Sequence, residues 1–388
     1  MRYVEMCGER VGALGMGTMR LPVLGGRSGE PGDPPPSGID EPAAIATIDA
    51  ALASGINYVD TAWGYHAGES ERLVGKALSR HPRESFNLTT KFPSYNTDNF
   101  GKHVEIFAEQ LEKCQTTYFD YYLLHNINET NIDPYLDDIG RETVDYFKSL
   151  RDEGRIRHLG FSTHATTETF DRFIDAYGSE LEFCQIELNY LDWDFQDARH
   201  KVSVCTELGL PIVVMEPLRG GFLCELSDAQ MAPLEKLRPQ VTAREWAFRW
   251  LETVVPGAVV LSGMGSPEMV EGNARIFSEP APLDDAEMQA VSELAREMAE
   301  GIGVPCTACR YCTDYCPQGL DIPELLALYN EMKSRGESTG FIAPMRISTL
   351  PEDKRPSACV ACGSCARVCP QQIEIPKALA TLAAATEK

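Results

Sequence analysis

Between about residue 10 and residue 276, short β-branched or apolar runs alternate with longer stretches of helical period, and the alternation repeats eight times. Units of this kind pair their strands in parallel, because each intervening helix returns the chain to the same end of the sheet. The strand candidates are residues 11–18, 56–60, 87–91, 119–125, 156–162, 183–189, 212–216 and 257–263. Helical candidates follow at 41–54, 69–79, 103–114, 141–153, 167–176, 196–208, 242–253 and 267–277, several preceded by Ser, Thr or Asp as caps. Eight such pairs in about 265 residues predict an α/β fold, the closed (β/α)₈ or TIM barrel. A doubly wound open sheet is the competing arrangement, but its glycine-rich turn is missing. The glycines of Gly12-Ala-Leu-Gly-Met-Gly17 lie inside a strand run and not in a turn that opens a helix.

The chain has 388 residues, more than the barrel needs, so a second domain is expected. Pro280-Ala-Pro-Leu-Asp-Asp285 and the charged run to Glu300 read as a linker and connecting helix. The expected division is a barrel at 1–279, a connection at 280–301 and a tail at 302–388 that is mainly α-helical, with helices at 322–333 and 377–386. The turn formers from Gly25 to Ile39 read as a surface loop. With Asp+Glu 58 against Lys+Arg 35, the net charge of −23 repels phosphate backbones and argues against nucleic acid as a partner. An acidic surface suits solubility or docking to a basic protein. No run is long and apolar enough for a membrane span, and the N-terminal residues lack a secretory pattern, so a cytoplasmic protein is expected.

Eight of the thirteen cysteines form two regular groups. Cys306-x₂-Cys309-x₂-Cys312-x₃-Cys316-Pro317 and Cys359-x₂-Cys362-x₂-Cys365-x₃-Cys369-Pro370 each match the bacterial ferredoxin run, whose closely spaced thiolates grip a four-iron cluster. In two-cluster ferredoxins the fourth cysteine of each run ligates the other cluster. The expected sites are therefore Cys306, Cys309, Cys312 and Cys369 for one 4Fe-4S cluster, and Cys359, Cys362, Cys365 and Cys316 for a second. Zinc sites and disulfides are the alternatives; zinc has little use for three successive short spacings, and a cytoplasmic setting disfavours disulfides. The residues between the runs are more numerous than in small ferredoxins, a spacing that resembles the α-helical ferredoxin domains of electron-transfer subunits. Leu320-Asp-Ile-Pro and Ile373-Glu-Ile-Pro echo each other after the two runs, so the tail looks internally duplicated. Ligand spacing leaves open whether such clusters carry electrons or brace the domain. Cys7, Cys114, Cys184, Cys205 and Cys224 are scattered and read as buried structural thiols.

Ionisable residues sit at the predicted strand ends, the rim where barrel active sites are built. Asp60 and Tyr65 lie in Asp60-Thr-Ala-Trp-Gly-Tyr, Lys91 in Leu88-Thr-Thr-Lys-Phe and His125 in Tyr122-Leu-Leu-His-Asn. Singly, each has an ordinary structural reading: a cap, a solvated charge, a satisfied histidine. In strand order, the four residues resemble the catalytic tetrad of the aldo/keto reductases, and the resemblance spans roughly residues 8–277. Gly154-Arg-Ile-Arg-His-Leu-Gly-Phe-Ser and Glu216-Pro-Leu-Arg-Gly-Gly are family-like blocks away from the tetrad, and the whole chain is similar to the subgroup that carries a C-terminal ferredoxin-like domain.

The resemblance implies reduction of an aldehyde or ketone by a nicotinamide cofactor, NADP or NAD, or the reverse oxidation of an alcohol. Negative charge builds on the carbonyl oxygen and must be met by a proton donor. Tyr65 is the expected donor, Lys91 the ammonium that eases release of its proton, Asp60 the carboxylate that holds Lys91, and His125 a second polar contact to the substrate oxygen. Ser162 and Gln185 match positions that hold the carboxamide, and Met215 falls where relatives stack an aromatic on the nicotinamide. Leu218 and Gly220 would face the pyrophosphate; Gly263, Ser266, Glu271 and Asn273 match the adenosine end. The chain departs from the pattern at Thr163, where Asn is common, and at Gly272, where Glu commonly contacts adenine. The last block also lacks the Lys or Arg that often grips the 2′-phosphate. His66 and His164 read as exposed or structural residues beside the pocket, which the loops at 92–100 and 126–138 shape. The expected partners are a small carbonyl or alcohol and an electron-transfer protein that exchanges electrons with the clusters. Purely structural clusters, or a nucleotide-binding redox sensor or electron-carrier subunit, are the alternatives.

Overall fold

The computed structural model describes residues 1–25, 38–300, 302–334 and 342–387, so most of the loop read between Gly25 and Ile39 lies outside the described residues. The described chain falls into two compact units. One takes in the N-terminal part of the chain up to Pro217 together with Arg244–Asp284, and the other is built from Leu218–Ala243 and the chain from Asp285 onward.

The first unit is the barrel. Its strands are β3 (Leu14–Gly17), β4 (Tyr58–Asp60), β5 (Asn87–Phe92), β6 (Phe119–Ile127), β7 (Ile156–Thr163), β8 (Cys184–Glu187), β9 (Ile212–Met215) and β10 (Val259–Ser262). They close in the order β10-β3-β4-β5-β6-β7-β8-β9, every neighbouring pair parallel. The expected strand at 11–18 is split, because a hairpin of β1 (Tyr3–Met6) and β2 (Glu9–Gly12) precedes the barrel. Cys7 and Gly8, both at positive φ, supply the mirror-image two-residue turn that suits a twisted hairpin. Ala13 is the join: its N–H donates to the Arg2 carbonyl at 2.9 Å, while its own carbonyl accepts from Val260 of β10 at 2.8 Å. Tyr121, on β6, donates its hydroxyl to the Met6 carbonyl of the hairpin.

The helices fall close to the expected places. Asp40 caps Glu41–Ala53 by accepting from the Ala43 N–H, and Ser266 caps Pro267–Ile276 by accepting from Met269. Glycine lets two helices come together at one point: a Cβ on Gly75 of Ser70–Leu78 would fall on the Lys113 carbonyl at the end of His103–Lys113.

In the second unit, Asp228–Leu237 and Asp285–Glu300 are joined by two hydrogen bonds from Arg238 to the Glu287 carboxylate, 2.7 and 2.6 Å. Asp228–Leu237 was not expected as a helix; it carries Pro233 inside and buries only Leu234, so its apolar period is faint. The C-terminal part packs Ile322–Ser334, Ile342–Thr349 and Ile375–Thr386 around Leu325, Leu326, Ile347, Leu379 and Leu382, with few strand-forming residues. Among the described residues no helix is long and apolar enough to cross a membrane.

Gly75→Ala should lower stability by about 1–3 kcal/mol, the usual cost of overpacking a close contact. The thermal midpoint is expected to fall; an unchanged midpoint would show that the two helices can part freely.

Candidate functional site

β3, β4 and β5 run side by side, and their registers bring the C-terminal ends of β4 and β5 together, Asp60 opposite Thr89. Lys91, two residues further along β5, turns its ammonium to Asp60 Oδ1 at 2.7 Å and to the Thr61 carbonyl at 2.7 Å. Lys91 is fully buried and Asp60 nearly so. Burial lowers the lysine pKa and raises that of the carboxyl, and the mutual attraction of the two opposes both shifts. Asp60 Oδ2 has no hydrogen-bond partner among the described residues.

Tyr65 follows β4 on a short turn in which His66 and Ala67 take left-handed φ, 52° and 55°. That turn lays the Tyr65 ring with its centroid 5.0 Å from Lys91 Nζ and 6.2 Å, edge-on, from the His125 ring. His125 stands at an irregularity of β6 between Leu124 and Ile127, where Asn126 takes a φ of 58°. Ser94 Oγ donates to the His125 carbonyl at 2.6 Å, and the Asn126 N–H donates to Ser162 Oγ at 2.9 Å. His125 is 4% exposed. Burial first, then the positive charges of Lys91 and His164, push its pKa well below the ordinary imidazole value. The imidazole is therefore neutral at neutral pH.

Two neighbours were not singled out from the sequence. Tyr95, in the 92–100 loop, meets His125 edge-on at 5.3 Å, and its hydroxyl occupies the place a Cβ on Gly64 would take. Beneath Lys91, buried Gln110 donates from Nε2 to the Lys91 carbonyl and to Glu71, which also accepts from Thr90. Neither feature leaves a local period; both arise from packing across strands.

The expected nucleotide positions are dispersed. Gln185, the second residue of β8, donates to Met215 Sδ at 3.6 Å while its buried Oε1 has no partner among the described residues. Asn273 donates to Ser262 Oγ at 3.0 Å, and its buried Oδ1 is likewise unpartnered. Two buried carbonyl oxygens lacking donors fit a ligand with amide or amino N–H groups. A Cβ on Gly263 would press on the Arg20 side chain, Ser266 caps its helix, and Glu271 is exposed. Leu218 and Gly220 begin the segment that belongs to the second unit, with Gly220 and Gly221 at φ of 69° and 102°. Thr163 is taken up structurally, donating to Ile127 and accepting from Ala165. His164 pairs through Nδ1 with Glu187 at 2.9 Å, a structural role, and His66 is half-buried.

The cysteines of the tail surround two separate cavities. Cys306, Cys309, Cys312 and Cys369 line one; Cys316, Cys359, Cys362 and Cys365 line the other. Left-handed residues recur at matching places in the two copies, Ala308 and Ala361, Arg310 and Gly363, Gly319 and Gln372, so the duplication extends to the backbone. Alternating hands of this kind curl a loop inward and turn successive N–H groups to its concave side, which suits an anionic group. No group of three or more ligating side chains among the described residues converges as for a single metal ion. Four thiols set around a cavity fit a multi-iron cluster better than zinc. Of the scattered thiols, Cys114, Cys184 and Cys205 are buried, Cys7 is partly so, and Cys224 is exposed, which corrects the expectation for Cys224.

Residues 13–296 match the family model described as the aldo/keto reductase family, and residues 305–374 match that of a 4Fe-4S dicluster domain. The chain is 32% identical over 223 residues to a probable aldo-keto reductase 1 of Glycine max, a match that covers 55% of this chain and spans only 58% of that protein's own length. It is 27% identical over 332 residues to an NADH-specific methylglyoxal reductase of Escherichia coli, covering 74% of this chain and 95% of the relative. An aldo/keto reductase of Klebsiella pneumoniae solved with NADP and acetate shares the fold, with a TM-score of 0.58, 22% identity and coverage of 76% and 95%.

His125 has an ordinary pKa of 6.5 when unfolded and a lower one when folded, so below pH 6.5 the unfolded chain takes up a proton that the native state refuses. Stability therefore falls as pH drops through that window. His125→Gln should remove about 1 kcal/mol of the loss between pH 7 and pH 5.5, measured by denaturant unfolding. Identical losses in the two proteins would contradict a neutral buried imidazole.

Proposed function

The chain belongs to the aldo/keto reductase family, and from that premise we propose that it is an NAD(P)H-dependent oxidoreductase interconverting a small aldehyde or ketone and its alcohol, with two 4Fe-4S clusters that exchange electrons with a partner protein. The observation that carries the reading is the buried Lys91–Asp60 pair with the Tyr65 ring set against its ammonium and a neutral His125 beside it. When bound, the nicotinamide supplies the hydride and the clusters supply one-electron storage.

The chain's own residues do the rest. Tyr65 gives its hydroxyl proton to the carbonyl oxygen as negative charge gathers there, and the Lys91 ammonium stabilises the phenolate left behind. Asp60 keeps the ammonium in place and charged. His125 donates a hydrogen bond to the same oxygen, a preorganised contact beside the Tyr65 ring. Gln185 and Ser162 would hold the nicotinamide carboxamide, and Asn273 and Ser266 the adenosine end; Met215, unable to stack as an aromatic does, leaves its sulfur against Gln185. The Escherichia coli relative's name supports a short oxoaldehyde as the first substrate to test.

Electron exchange is supported by the second cysteine cavity. Cys362 is exposed, and Val360 beside it is 58% exposed, so one edge of that cluster would be within reach of a partner.

Tyr65→Phe should lower carbonyl turnover by about 10²–10⁴-fold, the usual range for losing a general acid, and leave nucleotide affinity within about twofold. Unchanged turnover would remove Tyr65 from the mechanism. Iron and acid-labile sulfide analysis of protein prepared without oxygen should find about eight of each per chain; about four would mean a single cluster.

A further inference from the structure

The two cysteine cavities share their turns but differ at one residue in a way that burial alone does not explain. Cys306-Thr-Ala-Cys309 and Cys359-Val-Ala-Cys362 occupy equivalent places, with Ala308 and Ala361 both at a φ of 52°. Thr307 and Val360, nearly the same in shape, therefore stand in matching positions, and each lines its own cavity. Thr307 is 2% exposed and Val360 is 58% exposed. Transfer from water favours the opposite choice, valine inside and threonine outside. The Thr307 Oγ1 is buried without a hydrogen-bond partner among the described residues. The other polar side chains of that cavity are engaged: exposed Arg310 pairs with Asp321 at 3.1 Å, and Gln371 makes its own contacts in the chain. Around the hydroxyl the lining is otherwise thiols and apolar side chains such as Leu326 and Ile373. A buried hydroxyl needs an acceptor, and sulfur is the acceptor that this cavity is built to hold.

We propose that the Thr307 hydroxyl donates a hydrogen bond to a sulfur of the cluster held by Cys306, Cys309, Cys312 and Cys369, and so makes that cluster easier to reduce. The proposal rests on the reading of the eight cysteines as ligands of two 4Fe-4S clusters. Reduction adds one electron and no proton, and the added negative charge spreads onto the sulfurs. A donor to sulfur stabilises the reduced form more than the oxidised one, most strongly where water is excluded. The second cavity has valine at that place and exposes its edge at Val360 and Cys362, so its cluster would draw polar contacts from water instead. Thr307 does not ligate iron; it acts on charge that the ligands share.

The test is potentiometry of the full, cluster-loaded chain without oxygen, followed by absorbance and electron paramagnetic resonance. Thr307→Val keeps the shape and removes the hydroxyl, and the second copy shows that the turn accepts valine. One of the two reduction equilibria should become about tenfold less favourable, a fall of about 59 mV for a one-electron couple, while the other changes by less than about twofold. Thr307→Ser should stay close to wild type. Electron–nuclear double resonance of the reduced protein in H₂O and D₂O should show an exchangeable proton coupled to the cluster spin that Thr307→Ser keeps and Thr307→Val lacks. Unchanged potentials, equal falls of both potentials, or an unchanged proton spectrum in Thr307→Val would overturn the proposal. If Thr307→Val does not hold its iron, Thr307→Ala is read by the same two measurements against Thr307→Ser. Wild type that binds no cluster overturns the cluster reading, and this proposal with it, whereas two intact clusters indifferent to the hydroxyl overturn this proposal alone.

Discussion

A lysine and an aspartate shut away from water would each be costly alone, and the active end of this barrel depends on their being together. The Lys91 ammonium has two acceptors at 2.7 Å, one of them Asp60. Removing either partner of such a pair strands a buried charge and typically costs 3–5 kcal/mol. The pair is possible only because parallel pairing of β4 with β5 fixes the two strand ends side by side. Once it is fixed, the neighbouring groups follow: a ring against the ammonium, and an imidazole kept neutral by burial and by the same positive charge. One buried cation thus shapes both polar groups that a substrate oxygen would meet.

The second unit solves a different problem with the backbone. Its helices form a small apolar core, and the cysteines are carried on loops whose left-handed residues recur at equivalent places. Cys312 and Cys365 are buried at the edge of that core, whereas Cys362 faces outward. The two cavities are therefore alike in their turns and unlike in exposure.

Much of this was legible in the sequence, for reasons that differ by element. The barrel strands and most helices show themselves through period, because each must bury one face. The cysteine runs show themselves through spacing, because a cluster constrains its ligands within a few residues. What the sequence hid depends on distant contacts. Ala13 ends one strand and starts another only because Arg2 and Val260 claim its two backbone groups. The helix with Pro233 buries a single side chain and so has no pattern to read. Tyr95 and Gln110 reach the site across strands. Four residues in strand order pointed to the proposed tetrad; the packing around Lys91 and His125 required the fold.

The central claim is that the barrel reduces a carbonyl by direct hydride transfer, with the clusters apart from that step. Nicotinamide cofactor labelled with deuterium at the transferring C4 position, incubated anaerobically with the cluster-loaded protein and a short oxoaldehyde, tests it directly. Mass spectrometry should find the label on the former carbonyl carbon of the alcohol, one deuterium per turnover. Alcohol formed at the same rate with hydrogen from solvent at that carbon would contradict the account and place the clusters on the path of the electrons.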